Sequence, residues 1–473
     1  MSALQCIGSR PTGMLPVGRI GPLRPRRLND VRTVGECPRQ SVLALLEEHT
    51  QHHPLNRALV MLGGERACAV TYVQLARRVR EVTAWLAARF PEGGECIAML
   101  SKSSPAWGIV ALATMASRNV LVPLDSSMEP AALGAIVRRV RPAILFTSRA
   151  CYGSTREMAG GGAPTGEIVC LGESQLHVNL PESVPSTTGP AGYAAAPGTA
   201  MMAFTSGTTA TPKAVEITFD SLLFQVRALT ACFALRPSDR LLSLLPMHHL
   251  LEFTAGFLCP LWSGAQVHYL HSLLPDDALE HIRALGITRV VTVPAWLTLL
   301  KRALQHSARD AGTGTPPSPS ALRTQARQAF GVDFEHFVSG GAPLADEIAD
   351  FFDAVGTPVI QGYGLTETSP VVATNTVAGS RRGSVGRPLS GTETAISDCG
   401  EILVRGPQVA GRYRLDSGAG ESVADTEGWF HTGDLGHVDA DGFLYVIGRT
   451  KTADVLASGK NVQPEEIETR PDS

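Results

Sequence analysis

The sequence predicts an α/β fold with mostly parallel sheets, followed by a smaller β-rich region. Short apolar runs such as CIAML, VLVPLD and AILFTS are separated by segments with helical spacing, which is typical of parallel sheets covered by helices. Two later strands end in glycine-containing turns, and after Pro370 the chain changes to short strands and turns such as GEILVRG. These three observations define the fold class and place a β-rich subdomain at about residues 371–448.

Composition narrows the functional classes. The 473 residues are enough for two or three domains. A net charge of −3 gives no electrostatic footprint for nucleic acid. Nine scattered cysteines without CxxC spacing predict neither a disulfide framework nor a zinc site and favour the cytoplasm. The longest apolar stretch, residues 107–116, is about half the ~20 residues that span a bilayer, so no transmembrane segment is expected.

The N-terminal residues 1–38 are rich in Arg and Pro and contain no acidic residue before Asp30. We predict a disordered tail. A targeting peptide remains the alternative, because the composition resembles a transit peptide although a clear amphipathic face is lacking.

The globular pattern begins at Ser41, with helical spacing over residues 41–51. The run AVTYVQLARRVREVTAWLAARF predicts a short strand and then a helix whose apolar face comprises Leu75, Val79, Val82 and Leu86. Further helices are predicted over 105–117 and 130–140, and further strands at RLLSLLP and ITRVVTVP. Residues 160–164 and 311–320 read as exposed loops.

The segment FEHFVSGGAPLADEIADFFDAVGTPVIQGYGLTETSP predicts a strand, a helix and a second strand. The first strand covers 334–339 and the second 358–361, and Pro343 suits the first turn of the helix between them. The apolar face of this helix is Leu344, Ile348, Phe351 and Val355, and Gly356 ends it. Both strands therefore end in glycine-containing turns at one edge of the sheet, which is where ligands bind in open α/β sheets.

The stretch TSGTTATPK, residues 205–213, combines hydroxyls, a glycine and Lys213, one of only five lysines. It does not match the Walker A pattern. Hydroxyls, backbone N–H groups and a lysine can nevertheless surround phosphate oxygens. Taken alone, such a stretch is more often a linker.

Its neighbours change that interpretation. TSGTTATPK, LPMHHLLEF, SGGAPL, GYGLTET, GSVGRPL, GEILVRG, WFHTGDLG and GRTK followed by SGKNVQPEEIE occur in this order. From about residue 41 to 468, the chain resembles the adenylate-forming superfamily, which includes acyl-CoA synthetases, luciferases and the adenylation domains of peptide synthetases. LPMHHLLEFTAGF and SGKNVQPEEIE are most similar to fatty acyl-CoA or acyl-carrier synthetases.

The resemblance implies a reaction and an architecture. Such enzymes join a carboxylic acid to ATP, giving acyl-AMP and pyrophosphate, and then pass the acyl group to the thiol of CoA or of a carrier protein's phosphopantetheine. Residues 39–448 would form an adenylation core of two α/β subdomains and the β-rich subdomain, with the nucleotide at their junction.

The resemblance also implies roles for individual residues. The β- and γ-phosphates would be held by Thr205, Ser206, Gly207, Thr208, Thr209 and Lys213. Glu367 would ligate Mg²⁺ together with Thr208. Tyr363 would stack on adenine, and the other nucleotide-contacting positions would be Gly341, Ala342, Pro343, Gly362, Gly364 and Thr366. Asp434 would accept both ribose hydroxyls, and Arg449 would add a ribose contact.

The resemblance says less about the residues that would contact the acid substrate. His249 matches the histidine beside the acyl carboxylate, His248 less so, and the catalytic set would be His249, Thr208, Glu367 and Lys213. Phe253 and Trp296 could line an acyl pocket, although ordinary core packing is the commoner role for either aromatic taken singly.

Two departures from the family pattern affect these expectations. Ala210 and Ala214 stand where the family usually has Gly, and a methyl group there would stiffen the phosphate loop without abolishing binding.

The second departure is the ending. Residues 449–473 correspond to a hinge, with Lys451 at the hinge position, and to a stub of the mobile lid domain, and no lysine follows Lys460. In the family, a lid lysine contacts the reacting groups, and losing one such donor costs on the order of 10²–10³ in rate. We therefore expect weak acyl-AMP formation unless a lid is supplied in cis or in trans. The alternative is a binding-only pseudoenzyme that holds ATP, AMP or acyl-AMP without turnover.

Overall fold

The computed structural model describes residues 42–62, 68–160, 166–172, 178–181, 195–205, 213–309, 318–414, 420–449, 454–455 and 461–462. The predicted tail at 1–38 lies outside these residues. In the described part, the helices are α1 Val42–His52, α2 Tyr72–Arg89, α3 Pro105–Ala116, α4 Pro130–Val140, α5 Tyr152–Gly160, α6 Phe219–Phe233, α7 Cys259–Trp262, α8 Pro275–Leu285, α9 Pro294–Arg309, α10 Pro319–Phe330 and α11 Asp346–Val355.

The strands are short and extend along the whole described chain. They are β1 Arg57–Leu62, β2 Cys68–Thr71, β3 Cys96–Leu100, β4 Val120–Pro123, β5 Ile144–Thr147, β6 Glu167–Cys170, β7 Thr199–Thr205, β8 Lys213–Thr218, β9 Arg240–Ser243, β10 Gln266–Leu270, β11 Arg289–Thr292, β12 His336–Ser339, β13 Val359–Tyr363, β14 Ala373–Thr374, β15 Arg387–Pro388, β16 Glu393–Ile396, β17 Glu401–Arg405, β18 Arg412–Arg414, β19 Gly420–Ser422, β20 Phe430–Val438, β21 Leu444–Arg449, β22 Asp454–Val455 and β23 Asn461–Val462.

Two large sheets form the α/β part of the fold. The first has the order β15-β14-β13-β12-β11-β9-β10-β1-β2, with parallel pairs from β13 through to β1. The second has the order β19-β18-β8-β7-β4-β3-β5-β6 and is parallel from β7 to β6. Two mostly parallel sheets with helical connections confirm the predicted fold class.

The β-rich region contributes strands to three sheets. Its own antiparallel sheet has the order β16-β17-β20-β21. β14 and β15 extend the first large sheet, whereas β18 and β19 extend the second, where β18 pairs antiparallel with β8. This region therefore brings side chains against both α/β sheets, including the strand that follows the predicted phosphate loop.

The core consists of apolar clusters on the faces of the large sheets. The largest contains α2 and α3 residues such as Leu75, Val79 and Trp107, together with Phe253 and Tyr269. A second cluster lies on the opposite face of the first sheet and contains Val290, Trp296 and Phe337. Burial of these side chains, at about 25 cal/mol per Å² of apolar surface, is the main contribution to stability.

Most predicted elements are confirmed, with their ends displaced by a few residues. α2 buries Leu75, Val79, Val82 and Leu86 as its periodicity predicts, and Thr71 caps it. The predicted start of a helix at Pro343 is wrong, because α11 begins at Asp346 and its buried face is Ile348, Ala349, Phe352 and Val355. Residues 343–345 form an irregular segment that ends in an extended Ala345, and the helix begins only after it.

Within the described residues, no helix is long and apolar enough to cross a membrane.

Candidate nucleotide-binding site

The last residue of β13 and the turn that follows it provide two of the predicted site residues, Tyr363 and Glu367. Gly364 is required between them, because a Cβ at this position would lie 1.9 Å from the Pro370 carbonyl oxygen. Gln225 of α6 donates to the Thr368 carbonyl at 2.9 Å, and the Ala410 amide donates to the Glu367 carbonyl at 2.8 Å. The backbone that presents Glu367 is thus held from both sides.

Tyr363, Asp434 and Arg449 form a hydrogen-bonded triad. The Tyr363 hydroxyl donates to Asp434 Oδ2 at 2.7 Å, and Arg449 Nε donates to Asp434 Oδ1 at 2.8 Å. Asp434 and Arg449 are direct cross-strand partners of β20 and β21. Burial and the neighbouring Asp434 raise the pKa of Tyr363, so its hydroxyl keeps its proton. Asp434 is only 3% exposed, and a ribose would have to use the lone pairs that this triad leaves.

A second cluster contains Glu367, Tyr413 and Lys213. The Tyr413 hydroxyl donates to Glu367 Oε1 at 3.1 Å, and Lys213 Nζ lies 5.1 Å from the centroid of the Tyr413 ring. Burial raises the pKa of Glu367, while Tyr413, Lys213 and Arg449 act in the opposite direction. The influence of Arg449 on Glu367 indicates that this cluster lies close to the Tyr363 triad.

The predicted phosphate loop connects two antiparallel strands. Thr205 ends β7 and Lys213 begins β8, and the two residues pair across the strands. Ser206, Gly207, Thr208, Thr209 and Ala210 lie outside the described residues. Ala214, which replaces a family glycine, is buried in β8 and pairs with Arg414.

The other predicted nucleotide contacts lie at the carboxyl edge of the first sheet. Gly341, Ala342 and Pro343 follow β12, which runs parallel to and beside β13. Gly341 has φ of +80°, a conformation that favours glycine, and it is exposed. Gly362 is in β13 and Thr366 starts the short 3₁₀ turn that contains Glu367.

The two histidines of LPMHHL lie in a turn after β9. Their rings are 4.3 Å apart, and His248 Nε2 lies 3.6 Å from Asp125 Oδ1 of the other large sheet's β4–α4 loop. Desolvation lowers the pKa of both rings, that of His248 to about 4. His249 is exposed to solvent although protein atoms surround it closely. At neutral pH both rings are therefore neutral, and His249 is the accessible one.

The aromatic residues considered for an acyl pocket are separated. Phe253 is fully buried between Trp107 and Phe257, whereas Trp296 packs against Phe337 in the cluster on the opposite sheet face. The two side chains therefore belong to different apolar clusters of the core.

Sequence reasoning missed three notable residues. Tyr413 bridges two predicted site residues, yet its partner Glu367 is 46 positions away. Glu216 of β8 accepts hydrogen bonds from Arg412 and Arg414 of β18, the strand that also contains Tyr413. Glu252 is fully buried in a π-helical segment, Glu252–Leu258, and this burial raises its pKa to about 8. Only Glu252 gave a signal, as the single acidic residue in the apolar run LLEFTAGFL.

The described side chains suit a magnesium-nucleotide complex. Mg²⁺ is usually held by one or two carboxylates together with phosphate oxygens and water, rather than by an all-protein cage. The described residues contain no group of three or more His, Cys, Asp or Glu side chains that could hold a metal. Glu367 offers a half-buried carboxylate that interacts electrostatically with Lys213, and these two groups would hold a magnesium ion and a phosphate respectively.

With this geometry in place, comparison with known proteins identifies the class. The family described as AMP-binding enzyme matches residues 46–414, and the chain belongs to this family.

Two related ligases have low sequence identity to this chain. The chain is 29% identical to the long-chain-fatty-acid–CoA ligase FadD15 of Mycobacterium bovis, over 92% of this chain and 78% of the relative. It is also 29% identical to the 2-succinylbenzoate–CoA ligase of Bacillus pumilus, over 84% of this chain and 76% of the relative.

Solved structures share the fold. ATP-bound MatB from Rhodopseudomonas palustris superposes with a TM-score of 0.71 at 24% identity, covering 91% of this chain and 82% of that chain. The N-terminal domain of FACL13 from Mycobacterium tuberculosis gives a TM-score of 0.69 at 20% identity, covering 86% and 99% respectively. At these identities, the similarity establishes the architecture.

Proposed function

We propose that this protein activates a carboxylic acid, specifically a fatty acid, with ATP and transfers the acyl group to the thiol of CoA or of a carrier protein. The observation that carries this proposal is the pair of adjacent clusters, Tyr363–Asp434–Arg449 and Glu367–Tyr413–Lys213, whose residues come from both large sheets and from the β-rich sheet. The names of the related ligases support the acid and acceptor classes. The scattered cysteines favour the cytoplasm as the location.

One cluster fits the nucleoside and the other fits the phosphates. In our proposal, Tyr363 stacks on adenine beside residues 341–343, and Asp434 and Arg449 bind the ribose. Lys213 and the hydroxyls of residues 205–209 hold the β- and γ-phosphates. Glu367 and Thr208 would hold Mg²⁺, which supplies positive charge that offsets charge on the leaving pyrophosphate.

The chemistry then consists of two displacements. A carboxylate oxygen of the acid attacks the α-phosphorus of ATP, and the bond to pyrophosphate breaks to give acyl-AMP. In the second step a thiol sulfur attacks the acyl carbonyl carbon, loses its proton and displaces AMP. His249, neutral and exposed, can donate a ring N–H to the acid's carboxylate and so orient it for the first step.

The test compares ATP with AMP, because only ATP places phosphates beside Lys213. Lys213→Ala should weaken ATP binding about tenfold in titration calorimetry, since a charge-assisted contact is lost, while AMP affinity changes less than about twofold. Lys301→Ala is the matched control, because Lys301 of α9 pairs with Glu347 away from the site. Equal losses for ATP and AMP would contradict the assignment of the loop.

The same protein distinguishes catalysis from binding alone. Fatty-acid-dependent release of pyrophosphate supports the ligase, whereas nucleotide binding without release supports the binding-only alternative. We propose that residues 449–473 contain a hinge, at Lys451, followed by lid-domain sequence, and that closure by a lid domain, in cis or in trans, promotes the first step. Stimulation of pyrophosphate release by an added lid domain would support this part.

A further inference from the structure

The short strand β18 presents its two faces to different partners. Arg412 and Arg414 lie on one face, where Arg412 Nε binds Glu216 Oε2 at 2.8 Å and Arg414 binds Glu216 Oε1 at 3.1 Å. Glu216 is 1% exposed and belongs to β8, the strand that Lys213 begins. Removing either guanidinium would leave the buried Glu216 carboxylate without full charge compensation, which is strongly destabilising. The two ion pairs therefore hold β18 on β8.

Tyr413 projects from the other face, since side chains alternate along a strand. It pairs in register with Val215, two residues beyond Lys213. Its hydroxyl donates to Glu367 Oε1 at 3.1 Å, and its ring lies beneath the Lys213 ammonium at 5.1 Å. A single side chain thus contacts a carboxylate and a cation that the proposed function assigns to the metal and to the phosphates.

These two contacts have separate consequences. A hydroxyl that donates to one carboxylate oxygen limits rotation of the carboxylate and leaves the second oxygen directed elsewhere. A lysine ammonium within about 6 Å of a ring face is attracted to it. Without the ring, the exposed Lys213 side chain could extend toward Glu367 and form an ion pair, which would neutralise both groups before a nucleotide arrives.

We propose that Tyr413 is a positioning residue for the metal-and-phosphate end of the nucleotide site: its hydroxyl orients Glu367 and its ring supports Lys213. This inference rests on the proposed function, because it requires that Glu367 and Lys213 meet magnesium and phosphate. Tyr413 itself touches neither in this account.

Calorimetric titration of ATP with and without Mg²⁺, and of AMP, separates the two contacts. Tyr413→Phe removes the hydroxyl and keeps the ring, so MgATP binding should weaken about five- to tenfold, within the range for the loss of one intramolecular hydrogen bond. Metal-free ATP and AMP should change less than about twofold. Tyr413→Leu removes the ring as well and should also weaken metal-free ATP about two- to fivefold.

Tyr445→Phe is the matched control. The Tyr445 hydroxyl also donates to a carboxylate, Asp439 Oδ2 at 3.3 Å. Its ring stacks on His437 within the antiparallel sheet of the β-rich region. This variant should bind all three ligands as the unaltered protein does. Melting temperatures of the Tyr413 and Tyr445 variants show whether either has lost its fold.

The outcomes separate this inference from the function on which it rests. If the unaltered protein binds neither ATP nor AMP, the proposed function is wrong and the role of Tyr413 is wrong with it. If the unaltered protein binds MgATP and Tyr413→Phe binds it equally well or more tightly, only the role of Tyr413 is overturned. Equal weakening of MgATP and AMP would also overturn it, because a hydroxyl that supports the fold in general would not discriminate between them.

Discussion

The two ends of the proposed nucleotide site differ in how the protein holds their carboxylates, Asp434 and Glu367. At the ribose end, Asp434 is held by the guanidinium of Arg449 and by the Tyr363 hydroxyl. At the phosphate end, Glu367 accepts a hydrogen bond from Tyr413, Lys213 stays on the ring of that tyrosine, and burial raises the pKa of the carboxyl.

The comparison shows where each end gains from a ligand. The ribose end is already satisfied within the protein, so a nucleoside must share or replace existing hydrogen bonds there. The phosphate end combines a carboxylate that burial disfavours in its charged form with a nearby cation, and in the proposed function a magnesium-phosphate group would compensate both. Affinity for the nucleoside and affinity for the phosphates should therefore respond to different substitutions.

The largest effect should come from a substitution at the ribose end, where the carboxylate of Asp434 already has its hydrogen-bond partners. Asp434→Ala removes the proposed ribose acceptor and leaves Tyr363 and Arg449 without their shared partner, so both AMP and ATP should bind about a hundredfold more weakly. Calorimetry with each nucleotide measures the change.

The protein contains a matched control for this substitution. Asp439 also binds a tyrosine hydroxyl and an arginine, Tyr445 and Arg381, in the turn between β20 and β21. Asp439→Ala should leave AMP and ATP affinity unchanged even if it lowers the melting temperature. An Asp434→Ala protein that binds AMP normally would mean that the nucleoside lies elsewhere.

Glu252 extends the comparison to a buried carboxyl with neither a cation nor a proposed ligand. Its two oxygens, the Ser243 hydroxyl and the Tyr269 hydroxyl form no well-aligned hydrogen bonds in the described part of the chain. Desolvation raises the pKa of Glu252 to about 8, although Ser243 and the Leu245 amide lower it. The folded protein therefore keeps this carboxyl protonated at pH 7, whereas the unfolded chain ionises it near its ordinary pKa of 4.5.

This difference predicts how stability depends on pH. Because the folded state binds the proton more tightly, the contribution of Glu252 is present below pH 4.5 and is lost progressively as pH rises to about 8. Glu252→Gln cannot ionise. Between pH 5.5 and pH 8, the unfolding free energy of the unaltered protein should fall by about 3 kcal/mol relative to this variant. Urea unfolding at the two pH values measures the difference.

A second glutamate provides the control. Arg289 and Arg236 lower the pKa of Glu335, so its contribution changes only at pH values below about 4.5. Glu335→Gln should therefore leave the change between pH 5.5 and pH 8 as it is in the unaltered protein. If Glu252→Gln behaves in the same way, the Glu252 carboxyl is already ionised in the folded protein.

The sequence predicted features with local causes. The alternation of apolar runs and helical segments predicted the two mostly parallel sheets, and the spacing of Leu75, Val79, Val82 and Leu86 predicted the buried face of α2. The start of α11 was misplaced, because Pro343 is compatible with a first helical turn but also with the extended turn that it occupies here. β1 was not predicted, since its run RALVML is too short to identify by periodicity.

The site required two kinds of information. The motifs placed Tyr363, Asp434 and Glu367 in one expected set, and the structure brings Tyr363 to Asp434 across 71 positions of chain. Motifs could not show that Asp434 is already shared by two donors or that Tyr413 stands between Glu367 and Lys213. Both facts depend on how β18 and β20 pair with distant strands, which no local pattern encodes.

The smallest effect tests whether the hydrogen bond from Tyr363 to Asp434 weakens binding of the ribose. Tyr363→Phe keeps the ring for adenine and removes the hydroxyl that occupies Asp434 Oδ2. If a ribose hydroxyl must compete for that oxygen, AMP should bind about two- to threefold more tightly to the variant, because a lone pair becomes available without loss of the Arg449 contact. The 2′-deoxy analogue of AMP should gain less, and Tyr445→Phe should change neither affinity. A more than tenfold weakening of AMP would show the opposite relation, in which the Tyr363 hydroxyl orients Asp434 for the ribose.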